Sequence, residues 1–292
     1  MHPWTAADIP PQAGRTVIIT GAGSGLGRAA SKVLANSGAR VVMAVRDVVR
    51  GRDVARSVGG QVEVRHLDLA DLGSVREFAG AWHGPIDVQI NNAGVMAVPE
   101  RQETVDGFEL QFGTNHLGHF ALTNLLAPHL TGRVVTVSSG GHRMGRIVLD
   151  DLDWRRRKYR PWRAYGQSKL ANLLFTLELQ RRFEGSSGQL KALAAHPGLA
   201  LTNLYRPGNP VIQRVGSAGM KLLAQTEDAG ALPILFAASQ DLPGASYVGP
   251  NGPGEMRGSP TLVGRSAAAS DTHVARELWS ASERLTGVHF TL

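Results

Sequence analysis

"TVIITGAGSGLGRAASKVLANSGARVVMAVRD", residues 16–47, decides the fold. A short β-branched run turns through Gly21, Gly25 and Gly27 into an alanine-rich helical stretch, and a second apolar run follows. Glycine lets a strand turn tightly into a helix and lets an anion approach bare backbone at the helix N-terminus. The spacing is G-x-x-x-G-x-G rather than the G-x-G-x-x-G of the commonest dinucleotide fingerprint, but the physical requirements are the same. A glycine-rich turn alone is weak evidence. Its place between a first strand and a first helix makes it a nucleotide site, with Ser24 and Leu26 in the same turn.

The pattern continues outward. Apolar runs at 15–20, 39–45, 62–66, 86–91, 133–138 and 190–196 read as strands, and helix-length segments at 25–37, 47–57, 72–82, 105–130 and 162–183 lie between them. The strand runs are continuous rather than alternating, as expected when both faces of a sheet are covered. Strand and helix alternating over some 200 residues predict an α/β fold: a Rossmann-like, doubly wound parallel sheet with helices on both faces. Proline and glycine crowd 203–270, which reads as an irregular substrate cap within the same domain, and a last helix is expected over 271–285. Residues 1–14 read as an irregular arm, and the whole of 1–292 as one domain.

The end of the second strand bears on the choice of nucleotide. An NAD site usually places a carboxylate there for the ribose 2′-hydroxyl. Here Val45 fills that place and Arg46 follows. A guanidinium matches a 2′-phosphate in charge and geometry, so NADP(H) is preferred over NAD(H). Asp47 is the competing acid, but its place before "VVRGRDVARSV" suits a helix N-cap better.

Composition excludes other chemistry. With 42% hydrophobic and 19% charged residues the chain is an ordinary globular protein. It has no cysteine, which removes disulfides, thiolate metal sites and a cysteine nucleophile. No apolar run reaches membrane-spanning length and the first fourteen residues lack the features of a secretion signal, so a cytoplasmic location is expected. The net charge of +7 favours acidic partners, among them a phosphorylated cofactor and nucleic acid.

Read together, "TGAGSGLG" (20–27), "NNAG" (91–94), "NHLGHF" (115–120), "VSS" (137–139), "YGQSK" (165–169) and "HPG" (196–198) resemble, in identity and order, the short-chain dehydrogenases/reductases. The resemblance covers essentially the whole chain. It looks closest to the branch containing the retinol dehydrogenases and the WW-domain oxidoreductase, though no WW domain is visible. It implies Tyr165 as general acid/base, Lys169 as its partner, Ser139 on the substrate oxygen, with Ser138 left open, and Asn115 supporting a proton-relay water. It further implies that Asp68 and Leu69 lie near the adenine, that Asn92, Ala93 and Gly94 line the cofactor cleft, and that Pro197, Gly198 and Thr202 border the nicotinamide. Family members often pair through long helices, so a homodimer is compatible with it. Ser139 and Tyr165 are 26 positions apart, further than in compact members, and the inserted "GGHRMGRIVLDDLDWRRRKYRPWRA" (140–164) resembles the longer loop of the retinol dehydrogenase branch.

The chemistry follows from spacing. Residues i and i+4 share a helical face, which puts Lys169 beside Tyr165. A nearby ammonium and an oxidised nicotinamide are expected to lower the phenol's pKa from its usual value of about 10. The phenol can then exchange a proton with a small-molecule alcohol or carbonyl oxygen while hydride moves at the adjacent carbon. No metal is required. His116 and His119 are read as packing residues, because no acidic partner stands at ligand spacing. "GQSKL" (166–170) lacks the closing glycine of a hydrolase elbow. "WRRRKYRPWR" (154–163) mixes cations with aromatics as a nucleic-acid or anionic-membrane surface does, and is read here as a solvated flank of the active site, with no nucleic-acid partner expected. A regulatory protein that binds NADP(H) without turnover is the competing function.

Overall fold

Strand β1 (Thr16–Thr20) is buried along its whole length. It lies between β2 (Arg40–Val45) and β4 (Ile86–Asn91), both parallel to it. The computed structural model describes residues 3–186, 189–199 and 225–292. With β3 (Gln61–His66), β5 (Leu130–Val137), β6 (Lys191–Ala195), β7 (Tyr247–Pro250) and β8 (Pro260–Leu262), these strands form one eight-stranded sheet in the order β3-β2-β1-β4-β5-β6-β7-β8. All neighbours are parallel except β8, which runs antiparallel to β7. The order reverses between β1 and β4, and a doubly wound sheet opens a crevice at its carboxyl ends there.

One face packs on α1 (Gly25–Asn36) and α7 (Glu227–Ser239), with α2 (Val48–Val58) at its margin. The other face packs on α3 (Leu72–Gly80), α5 (Gly118–Leu126) and α6 (Pro161–Ser186), and α8 (Thr272–Thr286) lies outside α6. Asp47 caps α2 by accepting the Arg50 N–H at 3.0 Å, the role its position suggests.

Two expectations are corrected. The helix expected from residue 105 begins as α4 (Leu110–Phe112), because Glu109 pairs with Glu103 as a β-bridge and its carboxylate accepts the Gln111 and Phe112 N–H groups at 3.0 and 2.7 Å. Between α4 and α5 the chain widens into a π turn, Gly113–Leu117. The described part of the supposed irregular cap carries α7, β7 and β8. Helix α7 carries Pro233 inside it; Thr226 caps its start, and Glu227 and Asp228 favour its first turn. Pro250 and Pro260 stand opposite each other at the ends of the outermost strand pair, where a missing N–H is tolerated. The N-terminal arm is irregular apart from one turn at Ala6–Asp8, and Trp4 anchors it edge-on to Phe236 at 5.1 Å.

Candidate active site

The glycine turn leaves β1 at its carboxyl end. Gly21 has φ +66°, and a Cβ there would lie 2.9 Å from Ala93. A Cβ at Gly27 would come within 2.6 Å of both the Gly21 carbonyl and Asn92 Nδ2, so α1 approaches the "NNAG" turn only because both positions are bare. Ser24 occupies the N-cap in extended conformation but makes no side-chain cap. The first-turn N–H groups of α1 therefore lack a side-chain acceptor, the condition for receiving a diphosphate. Leu26 is buried in the core beneath the turn. The residues present fit a dinucleotide.

Thr20 ties the turn to its neighbours. Its hydroxyl oxygen accepts the Asn92 and Ala93 N–H groups at 2.9 and 3.0 Å, and it lies 2.8 Å from His119 Nε2. Asn92 Nδ2 donates to the Thr20 carbonyl at 2.8 Å. Arg46 is exposed at the end of β2 and its side chain has no partner among the described residues. Asp68 Oδ1 accepts the Ala70 N–H at 2.9 Å, shaping the turn after β3, and Leu69 packs beneath it.

Tyr165, Ser139 and Lys169 converge at the carboxyl end of β5. The Ser139 hydroxyl accepts the Gly141 N–H at 3.1 Å, and a Cβ at Gly141 would lie 3.4 Å from Ser139 Oγ and 3.1 Å from Tyr165 Cε1, so the two side chains face one point. Ser138, the alternative, turns inward and donates to the Lys169 carbonyl at 2.8 Å. Lys169 Nζ donates to the Val137 carbonyl at 3.0 Å and stands 5.8 Å from the centre of the Tyr165 ring. Burial pushes the Lys169 pKa down to about 8. Tyr165 does not follow the expected depression: burial raises its pKa, and the neighbouring Ser139 hydroxyl only partly offsets this.

The Asn115 side chain braces this group. Its Oδ1 accepts the Val95 N–H at 2.8 Å, and its Nδ2 donates to the Val95 carbonyl and to Ser168 Oγ at 2.9 and 2.8 Å. Ser168 Oγ donates to the Tyr165 carbonyl at 2.8 Å, so the hydroxyl in "GQSKL" is a buried strut. A Cβ at Gly94 would touch Asn115 Oδ1 at 3.0 Å and Lys169 Nζ at 3.6 Å, which sets Gly94 against both. In the π turn the Asn115 carbonyl meets His119 Nδ1 at 3.0 Å. Burial lowers the His119 pKa to about 4, so the ring is neutral. Nδ1–H donates to Asn115, and Nε2 accepts the Thr20 hydroxyl.

Several residues were not singled out from the sequence. His142 Nδ1 donates to the Ser139 carbonyl at 2.7 Å and Nε2 accepts the Ser266 N–H at 3.3 Å. The Tyr247 ring lies between His142, which it meets edge-on at 5.8 Å, and His196, tilted against it at 5.1 Å. Only the short spacing from Ser139 to His142 could have drawn attention to that histidine. Pro197 and Gly198 follow β6. Gly198 has φ +66°, and a Cβ there would collide with the Met256 carbonyl, so the chain crosses closely over the 253–256 turn. Thr202 lies outside the described residues. His116 Nε2 pairs with Ser282 Oγ at 2.9 Å. Among the described residues no three metal-ligating side chains gather.

A doubly wound sheet with a bare glycine turn at its switch point and Ser, Tyr and Lys at the neighbouring carboxyl edge has the architecture of a nucleotide-dependent oxidoreductase. A family model described as short chain dehydrogenase matches residues 15–210, and the chain belongs to that family. It is 41% identical to human retinol dehydrogenase 13 over 299 residues, covering 97% of this chain and 86% of that one. A crystal structure of an uncharacterized protein from Mycobacterium Paratuberculosis is 55% identical over the full length of both chains, with a TM-score of 0.88. A Beutenbergia cavernae structure described as an NAD(P) dependent gluconate 5-dehydrogenase, with NADP bound at low occupancy, is 26% identical with a TM-score of 0.59 and covers 79% of this chain and 92% of that one.

Proposed function

We propose that the protein transfers hydride between NADP(H) and the alcohol/carbonyl pair of a hydrophobic small molecule, with Tyr165 as general acid/base. The observation that carries this reading is the convergence of Ser139 and Tyr165 on the same point above Gly141, beside the Lys169 ammonium. The bound cofactor would supply the hydride; the chain supplies the rest. In the reducing direction Tyr165 gives its phenolic proton to the substrate oxygen, and burial suits it to this by keeping the phenol protonated at neutral pH. The Ser139 hydroxyl orients that oxygen and stabilises its growing charge. Lys169 places a cation where the phenolate forms. Asn115 and Ser168 hold these groups in register.

NADP(H) preference is supported by unpaired Arg46 at the end of β2 and by the commitment of Asp47 to the α2 cap. A hydrophobic substrate is supported by the retinol in the human relative's name. No helix among the described residues is long and apolar enough to cross a membrane, which is compatible with a cytoplasmic enzyme.

The test is NADPH oxidation with a panel of apolar aldehydes and ketones. Tyr165→Phe should lose activity by about 10²- to 10⁴-fold, the usual worth of a positioned acid. If wild type and variant are equally inert across the panel, the regulatory reading takes its place. Arg46→Asp should weaken NADPH binding at least about tenfold more than NADH binding, because a 2′-phosphate loses a charge-assisted partner. Equal losses would remove the assigned cofactor preference.

A further inference from the structure

Helix α6 begins in a collar of cations that the fold does not use. No acidic residue occurs in "WRRRKYRPWR" (154–163). Two of its arginines turn to the protein: Arg155 reaches Glu103 at 3.4 Å, and Arg157 pairs with Asp151 at 3.3 Å while lying 3.7 Å over the Trp154 ring. Asp151 also accepts the backbone N–H groups of Arg155, Arg156 and Arg157, so it nucleates the loop. Arg156, Lys158, Arg160 and Arg163 are exposed, and their side chains have no partner among the described residues. Like charges held this close on an ordered loop repel one another, and an external anionic surface would relieve that repulsion.

Apolar side chains stand in the same rim. Trp162 is 51% exposed and Met144 53% exposed. Trp162 meets the Tyr165 ring edge-on at 6.3 Å. Gly145, next to Met144, lies against the Gly166 backbone so closely that a Cβ would strike its carbonyl. Both side chains therefore flank the N-terminal end of α6 beside the candidate catalytic tyrosine. Cations that reach phosphate groups, with an indole and a thioether among them, are what a lipid interface recognises. A duplex would use the cations but leave the apolar pair without a partner.

We propose that this rim is a docking surface for a bilayer containing anionic phospholipid, turned so that the N-terminal end of α6, beside Tyr165, faces the lipid. The docking stands on charge and exposure alone, whereas loading of substrate from the bilayer rests on the oxidoreductase reading.

The test is sedimentation of the full chain with phosphatidylcholine vesicles and with vesicles that also contain phosphatidylglycerol, with no cofactor or substrate present. Pelleting should require the anionic lipid and fall as salt rises. The R156E/K158E/R160E/R163E variant should bind at least about tenfold more weakly, since each cation near an anionic surface contributes substantially. The corresponding glutamine variant gives the same reading if reversal disturbs folding, and thermal melting checks both. A matched control reverses Arg50, Arg52, Arg276 and Arg284, exposed cations elsewhere on the surface, to glutamate. Trp162→Ser should weaken the binding that survives at high salt. Equal binding to neutral vesicles, equal loss in the matched control, or preference for duplex DNA over the vesicles overturns the proposal. Vesicle binding without NADPH-dependent turnover would leave the surface standing and remove the redox reading; turnover without vesicle binding would do the reverse.

Discussion

Lys169 carries a charge that its surroundings oppose. Its ammonium is buried and has one acceptor among the described residues, the Val137 carbonyl. Burial lowers its pKa from 10.5 to about 8. The folded state therefore holds this proton less tightly than the unfolded chain does. The resulting destabilisation is present in full below about pH 8 and fades as pH rises towards 10.5. Lys169→Met should stabilise the protein at neutral pH by up to about 3 kcal/mol while abolishing turnover, a trade expected at a functional site. Urea melts across that pH range would show the two proteins converging at alkaline pH; a gap that does not vary with pH would sink the account. Tyr165 and Lys169 were legible in the sequence because one helical period brings them together. The roles of Thr20, Ser168 and His142 were not, because each also bonds a segment that no local pattern relates to it: His119, Asn115 and Ser266, at 99, 53 and 124 positions.

At the scale of elements, the carboxyl ends of β1 and β4 and the π turn before α5 are fixed to one another through Thr20. Its hydroxyl serves two N–H donors and the neutral His119 ring, which in turn donates to the Asn115 carbonyl. Thr20→Val would leave the Ala93 N–H without an acceptor and His119 Nε2 without a donor, while the Asn92 N–H keeps its 3.1 Å bond to the Ile90 carbonyl. A loss of about 1–3 kcal/mol follows for each buried group stranded. Thr20→Ser keeps the hydroxyl and should cost much less. Chemical denaturation of the two variants checks this, and equal losses would show that the methyl group, not the network, matters. The elements themselves were largely readable. All six expected strands form, because runs such as "TVIIT" are apolar throughout and can lie only in a sheet covered on both sides. The misread elements are those in which local propensity yields to context. Pro233 sits inside a buried helix, the four-residue strand β7 carries too few apolar positions to show a period, and the Glu103–Glu109 bridge depends on a pairing invisible in composition.

Across the whole molecule, α8 decides which surfaces are left for assembly. Trp279 on α8 stacks on Phe175 of α6 at 5.6 Å and meets Phe120 of α5 edge-on at 4.9 Å, while Arg182 covers its ring at 4.2 Å. Residues 164–176 of α6 are all buried within the one chain, and α5 is buried except for part of Leu125. Along α5 and along 164–176 of α6, the long helices through which related proteins often pair therefore have no free face here. The protein should be monomeric at micromolar concentration, or should self-associate through another surface. Trp279→Ala should destabilise it by about 3–5 kcal/mol, as expected when a fully buried aromatic is truncated, and uncover the α5–α6 surface. Light scattering of the wild type combined with hydrogen exchange on α5 and α6 tests this. A stable dimer whose exchange protection falls along α6 on dilution would show that α8 does not seal that face.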